Sequence, residues 1–229
     1  MTVPRTIRVA VIDSGVHASH PHVGGVAGGV GIDEHGVEHA DYVDRLGHGT
    51  AVAAAIREKA PAAEIFAIKV FDRELAATGR ALVAACDRAL AESAHIVNLS
   101  LGTQNADHES VLVDAVERLR RAGAVIVAAG PQDGIRWLPG SLPGVWAVTL
   151  DWAVSRDRCQ IDRIDAHGAA FRASGFPRPI PGVPPERNLK GVSFAVANVT
   201  GIVARLLADD DAGDPASVVM RAFEGGSLS

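Results

Sequence analysis

Cysteine is scarce in this chain: Cys86 and Cys159 are the two in 229 residues, too few for a disulfide framework. Aromatic residues make up 4% and include a single tyrosine, and no basic run interleaves with them. With a net charge of −5, a phosphate backbone is not the expected partner. The apolar runs Ala51–Ile56 and Ile202–Ala208 are too short to span a bilayer, and no membrane partner is expected. No apolar h-region with a small-residue cleavage site follows Met1, so no signal peptide is read. The expectation is a cytoplasmic protein that starts at its folded domain, with no room for a large pro-segment.

Cofactor signatures are missing as well. The glycines of Val23–Ile32 are not followed by Gly-Lys-Ser/Thr, so they form no phosphate loop. No calcium loop of recognisable spacing is present. His17, His20 and His22 lie close together without a Cys/His partner set, and a solvated loop is the expected reading. No metal and no cofactor are expected.

What is present is a regular alternation. Ile7–Ile12, Glu64–Phe71, His95–Leu101, Ala124–Ala129 and Val145–Leu150 read as strands, continuously apolar as parallel strands buried on both faces are. Helical patterns occupy 47–60, 81–93, 110–123, 191–208 and 214–225, the fourth nearly all apolar and therefore expected in the core. Such βα repeats predict an α/β fold: a mostly parallel central sheet with helices on both faces. Two long segments, His17–Leu46 and Asp151–Lys190, read as irregular loops that shape a site. With no internal repeat and no linker, residues 1–229 are expected to form one domain.

Three polar residues interrupt the apolar architecture at element ends. Asp13 closes the first strand, His48 opens the first helix and Ser193 opens the long apolar one. Singly, each has an ordinary reading: a turn, a core or N-terminal histidine, an N-cap serine. Together they are the acid, imidazole and hydroxyl of acyl transfer. The hydroxyl attacks, the imidazole takes its proton, and the carboxylate fixes the tautomer.

In the order Asp…His…Ser these motifs resemble the subtilisin-like serine peptidases, the subtilases. The resemblance rests on Asp13-Ser14-Gly15 with His20-Pro21 following, and on Gly47-His48-Gly49-Thr50 with Asp44 before and Val52 after. Gly191-Val192-Ser193-Phe194-Ala195 matches the nucleophile motif in reduced form, while Val97–Gly102 and Ile180–Val183 match the strand and turn between. It implies a subtilisin-like fold, with Ser193 as nucleophile, His48 as general base and then acid, and Asp13 as orienting carboxylate. By the same resemblance Ser100, Leu101 and Gly102 pair with substrate backbone, and Ala128, Ala129 and Gly130 line a specificity pocket.

The chain departs from the family where the oxyanion is stabilised. After Ala128-Ala129-Gly130 the family has an asparagine whose amide donates to the oxyanion; here Pro131 offers no donor at all. Val192 replaces the usual threonine before the nucleophile. Gln132 is the residue expected to supply the missing amide. The function expected is a serine endopeptidase acting slowly on a dedicated peptide or protein substrate, removing a leader. It would be a small maturation protease such as that of quinohemoprotein amine dehydrogenase assembly, with a partner protein presenting the substrate as a further possibility. The alternative is a catalytically silent subtilase fold that binds a peptide or scaffolds a partner; a nucleotide-binding doubly wound protein comes third.

Overall fold

The computed structural model describes residues 5–72, 77–210 and 212–224. Strand β1 (Arg8–Asp13) lies inside the sheet, its Val-Ala-Val-Ile stretch wholly buried because helices cover both of its faces. Strands β2 (Gly28–Ile32), β3 (Glu38–His39) and β4 (Glu64–Lys69) extend the sheet on one side of it. On the other side follow β5 (Ile96–Leu99), β6 (Val125–Ala129), β7 (Trp146–Leu150), β8 (Cys159–Asp165) and β9 (Gly168–Ala173). The order is β3-β2-β4-β1-β5-β6-β7-β9-β8. All neighbours pair in parallel except the two edge strands, β3 against β2 and β8 against β9.

Helices α1 (His48–Lys59), α4 (Val192–Asp209) and α5 (Pro215–Glu224) share a core on one face. Helices α2 (Gly79–Ala91) and α3 (Glu109–Arg121) share a second core on the other. Alternation along the strands supplies both: Val9 and Val11 face the first core, Ala10 and Ile12 the second. Helix starts are marked by side chains. The Thr78 hydroxyl accepts from Ala81 N–H at 3.1 Å, and Asp214 accepts from Ala216 and Ser217 N–H at 3.1 and 3.2 Å.

Two expectations need correction. The segments read as irregular loops, His17–Leu46 and Asp151–Lys190, contain β2, β3, β8 and β9. β2 is Gly-Gly-Val-Gly-Ile, whose glycines carry no pattern. In β8 a bulge between Ile161 and Arg163 puts the inward isoleucines Ile161 and Ile164 three residues apart, which destroys the period-two signal. The second correction concerns apolar length. The whole of α4 is long and apolar enough to cross a membrane, with mean hydropathy 1.4, yet 72% of it is buried in the fold. It is a core helix packed against α1 and the sheet.

Candidate active site

The site grows from two turns that need glycine. After Asp13, at the carboxyl end of β1, Gly15 has φ +93°, and a Cβ there would lie 2.3 Å from the Tyr42 carbonyl. Val16 N–H donates to that same carbonyl at 2.9 Å. At Gly49 a Cβ would come within 2.2 Å of the Gly15 carbonyl, so the first turn of α1 rests directly on the turn after β1. This close approach sets His48 Nδ1 2.7 Å from Asp13 Oδ1.

Asp13 is fully buried, and the His48 side chain is 14% exposed. The same Oδ1 accepts from Ser14 N–H at 2.7 Å, whereas Oδ2 is buried without a hydrogen-bond partner. An ionised carboxylate only accepts, so Nδ1 of His48 carries the proton in this contact and Nε2 keeps its lone pair. Burial pulls the His48 pKa down. The hydrogen bond to Asp13, the Asp13 charge and the Asp44 charge outweigh it, and the net position is above the ordinary 6.5.

Asp44 organises the loop that delivers His48. Its Oδ1 accepts from Ser14 Oγ, Leu46 N–H and Gly47 N–H, each at 2.9 Å. Its Oδ2 accepts from Thr50 N–H at 2.8 Å and Thr50 Oγ1 at 2.6 Å. Ser14 Oγ in turn accepts from Gly49 N–H at 2.9 Å. In sequence Asp44 is merely a residue ahead of a motif; an acid placed just before a helix N-terminus was the available signal.

Ser193 is the second residue of α4, behind Gly191 at φ 149°. Its hydroxyl donates to the Ser100 carbonyl at 3.0 Å, and Ser100 Oγ donates to the Ser193 carbonyl at 3.1 Å. Ser100 Oγ also accepts from Asn98 Nδ2 at 2.8 Å, and Asn98 Oδ1 accepts from Thr200 Oγ1 at 2.9 Å. This buried chain ties the end of β5 to α4. His48, Ser193, Ser100, Leu101 and Gly102 line one cavity of about 290 Å³, with Phe71, Leu82 and Thr103 in its wall. Sequence reading passed over Phe71, Leu82 and Thr103, whose apolar or small character at element ends carries no distinctive signal.

The other expected residues are placed differently. Ala128 and Ala129 are 0% and 6% exposed, and Gly130 is buried too. The segment after Trp137 covers them: a Cβ on Gly140 would lie 1.8 Å from the Ala129 carbonyl. Trp137 lies against Gly102, and Thr103 pairs with Leu138 through two backbone hydrogen bonds of 2.9 and 2.8 Å. Gln132 opens a tight turn that Ile135 closes, with Asp133 and Gly134 both at positive φ. Its amide oxygen accepts from Leu150 N–H at 3.3 Å, and it is not among the residues lining the cavity beside Ser193.

A second cavity, about 490 Å³, lies along the other flank of the α1 start, against Gly47, Thr50 and Ala51. His17, His20, His22 and Asp44 line it too, and the facing wall comes from the chain between Pro177 and Leu189. Among the described residues, no group of three His, Cys, Asp or Glu side chains is arranged to hold a metal ion.

The family model Peptidase_S8, "Subtilase family", matches residues 5–148, a span that holds Asp13, Asp44 and His48. The chain belongs to the subtilase family. Among curated subtilases it is 30% identical over 182 residues to the minor extracellular protease Epr of Bacillus subtilis (strain 168), covering 75% of this chain and 27% of that protein. It is 31% identical over 216 residues to a thermostable alkaline protease of Halalkalibacterium halodurans, covering 86% of this chain and 55% of the relative. The chain thus spans about a quarter to about half the length of these relatives. Among solved structures, the prenylagaramide maturation protease PagA superposes with TM-score 0.69 at 26% identity, covering 94% of this chain and 82% of that one. The protease domain of PatA has the same fold, with TM-score 0.66 at 24% identity over 97% of both chains. Ser193 lies beyond the span of the family model, so its place beside His48 rests on the fold.

Proposed function

We propose that the chain is a serine endopeptidase that cuts peptide bonds through Asp13, His48 and Ser193. The observation that carries this reading is the part-buried 2.7 Å contact between Asp13 and His48, with His48 and Ser193 lining the same cavity. In the resting geometry that hydroxyl points at the Ser100 carbonyl. Rotation about χ1 turns it towards Nε2 of His48, a tightening that substrate binding commonly brings about. His48 then takes the proton as Oγ attacks the scissile carbonyl, and returns it to the leaving amine. Water activated by His48 releases the acyl group.

Backbone of Ser100–Gly102 pairs with the acyl side of the substrate in this reading. Because Ala128–Gly130 are covered, Trp137 rather than their side chains meets the substrate on that side. The oxyanion is served by the Ser193 N–H, in the first turn of α4 where the helix dipole is positive. The Gln132 amide takes the place of the missing asparagine only if its turn moves from its resting contact with Leu150 into the cavity beside Ser193. With Pro131 and Val192 at donor positions, turnover is slow. Slow turnover suits removal of a leader from one dedicated peptide or protein, in the cytoplasm, where the free and buried Cys86 and Cys159 are at home. The likeness to a structure described as a prenylagaramide maturation protease supports maturation over digestion.

A second reading is favoured by the departures themselves: a silent subtilase fold that binds a peptide without cutting it. A fluorophosphonate probe separates the two. Wild type is expected to label at Ser193 and Ser193→Ala not to label; a folded wild type that never labels overturns the peptidase.

A further inference from the structure

The three histidines lie in a solvated loop as expected, His17 exposed and His20 and His22 half-buried. They line the second cavity together with Arg178 and Asn188, one turn of α1 away from His48. Its apolar wall includes Ile180 and Leu189, which are 43% and 47% exposed. This cavity shares no lining residue with the one at Ser100–Thr103. His48 lines the first cavity while its neighbours Gly47, Thr50 and Ala51 line the second, so a substrate whose acyl side lies along Ser100–Gly102 would reach the second cavity by continuing past His48.

The polar groups here with hydrogen-bonding capacity to spare include the donors of Arg178 and His20. His22 N–H donates to His20 Nδ1 at 3.2 Å, which makes Nδ1 an acceptor and leaves the ring proton of neutral His20 on Nε2. Arg178 spends Nη1 on the His22 carbonyl at 3.1 Å, and among the described residues no carboxylate pairs with it. Asp44, the acid in the wall, already accepts five hydrogen bonds from the α1 loop and Ser14. Asn188 is used within its own loop: its amide donates to the Arg178 carbonyl at 3.3 Å and its oxygen accepts from Leu189 N–H at 2.9 Å. Glu58, the acid next nearest, is committed to Arg156 and Lys59. Burial, Arg178 and His20 together hold the His22 pKa below 6.5 against the opposing pull of Glu58.

We propose that this cavity is a specificity site for an acidic side chain on the leaving-group side of the cleaved bond, with Arg178 as its charged anchor. The stem of a glutamate or aspartate rests on Ile180 and Leu189, and its carboxylate meets the guanidinium and the imidazole N–H of His20. An ionised partner makes such hydrogen bonds stronger than neutral ones. The proposal rests on the peptidase reading, and the test tells the two failures apart.

A peptide library derived from a whole proteome is digested with wild type, Arg178→Gln and Arg178→Glu, and the cuts are mapped by mass spectrometry. Wild type is expected to favour Glu or Asp over Gln or Asn within the three positions after the cut by about tenfold. Arg178→Gln should lose that preference while still cutting, and Arg178→Glu should transfer it to Lys and Arg. Cuts whose following residues show no acidic preference, or a preference unchanged in Arg178→Gln, overturn the specificity site and leave the peptidase standing. An absence of cuts by wild type overturns the specificity site, and overturns the peptidase as well if the fluorophosphonate fails to label Ser193. Should Arg178→Glu fail to fold, Arg178→Gln decides alone.

Discussion

Around Asp13 and His48 the chain is held from several directions, whereas around Ser193 it is held by few bonds. Asp44 gathers five donors, Gly15 and Gly49 bring two turns into direct contact, and Asp13 is sealed from solvent. On the Ser193 side, the hydroxyl has one partner, Ser100, and the approach to α4 runs through a stretch, residues 179–187, that is exposed throughout. The family model matches the first region and stops before the second. A proton-transfer pair depends on sub-ångström placement in a dry setting, so the first region tolerates little variation. In the proposed reading the second meets the substrate, where exposed loop residues are free to vary.

The largest effect should come from unsettling the rigid side. In Asp13→Asn the amide presents a donor to Nδ1 and favours the wrong imidazole tautomer, with little change in shape. A fall in kcat of about 10⁴-fold is expected. It is read from cleavage of any substrate found for the wild type, alongside a melting curve to verify folding. A loss below tenfold would mean that the Asp13–His48 pair is structural and that the two regions do not differ as argued.

The same contrast decides what was legible in the sequence. Asp13, His48 and Ser193 are picked out by their resemblance to the family's motifs in the order Asp…His…Ser, and the fold places Asp13 at the carboxyl end of β1 and His48 and Ser193 in the first turns of α1 and α4. The parallel strands β1, β4, β5, β6 and β7 were readable because burial on both faces leaves continuous apolar runs. β2 and β8 were not, since glycine and a bulge erase periodicity, and both sit towards the edges of the sheet. The histidine-lined cavity escaped because its walls, His17–His22 and Pro177–Leu189, lie far apart in the chain; no local pattern announces that they meet.

A smaller effect is expected from the donor assigned to Gln132. Gln132→Ala should lower kcat by about 10²–10³-fold with KM little changed, the cost of one oxyanion donor. The side chain also accepts from Leu150 N–H at the end of β7, so Ala alone mixes two roles. Gln132→Glu keeps that acceptor and removes the donor. Loss in both variants supports the oxyanion role; full activity in Gln132→Glu assigns Gln132 to holding the β7 end and returns the open side of the cleft to a single backbone donor.

The mildest perturbation is pH. Burial lowers the His48 pKa, but the hydrogen bond and charge of Asp13 and the charge of Asp44 raise it further, leaving it above 6.5. Catalysis needs neutral His48, so the acid limb of kcat/KM should have its midpoint above 6.5. Stability moves the opposite way. A folded pKa above the unfolded one means that protonation favours the fold, so this contribution is complete below 6.5 and is lost as pH rises through the folded value. Across one window the enzyme should therefore gain activity and lose some thermal stability. Rate profiles and melting curves on wild type, with His48→Gln as the stability control, check both limbs. An acid limb at or below 6.5 would show that burial outweighs the carboxylates. The rigid side of the cleft would then hold its histidine by packing rather than by charge.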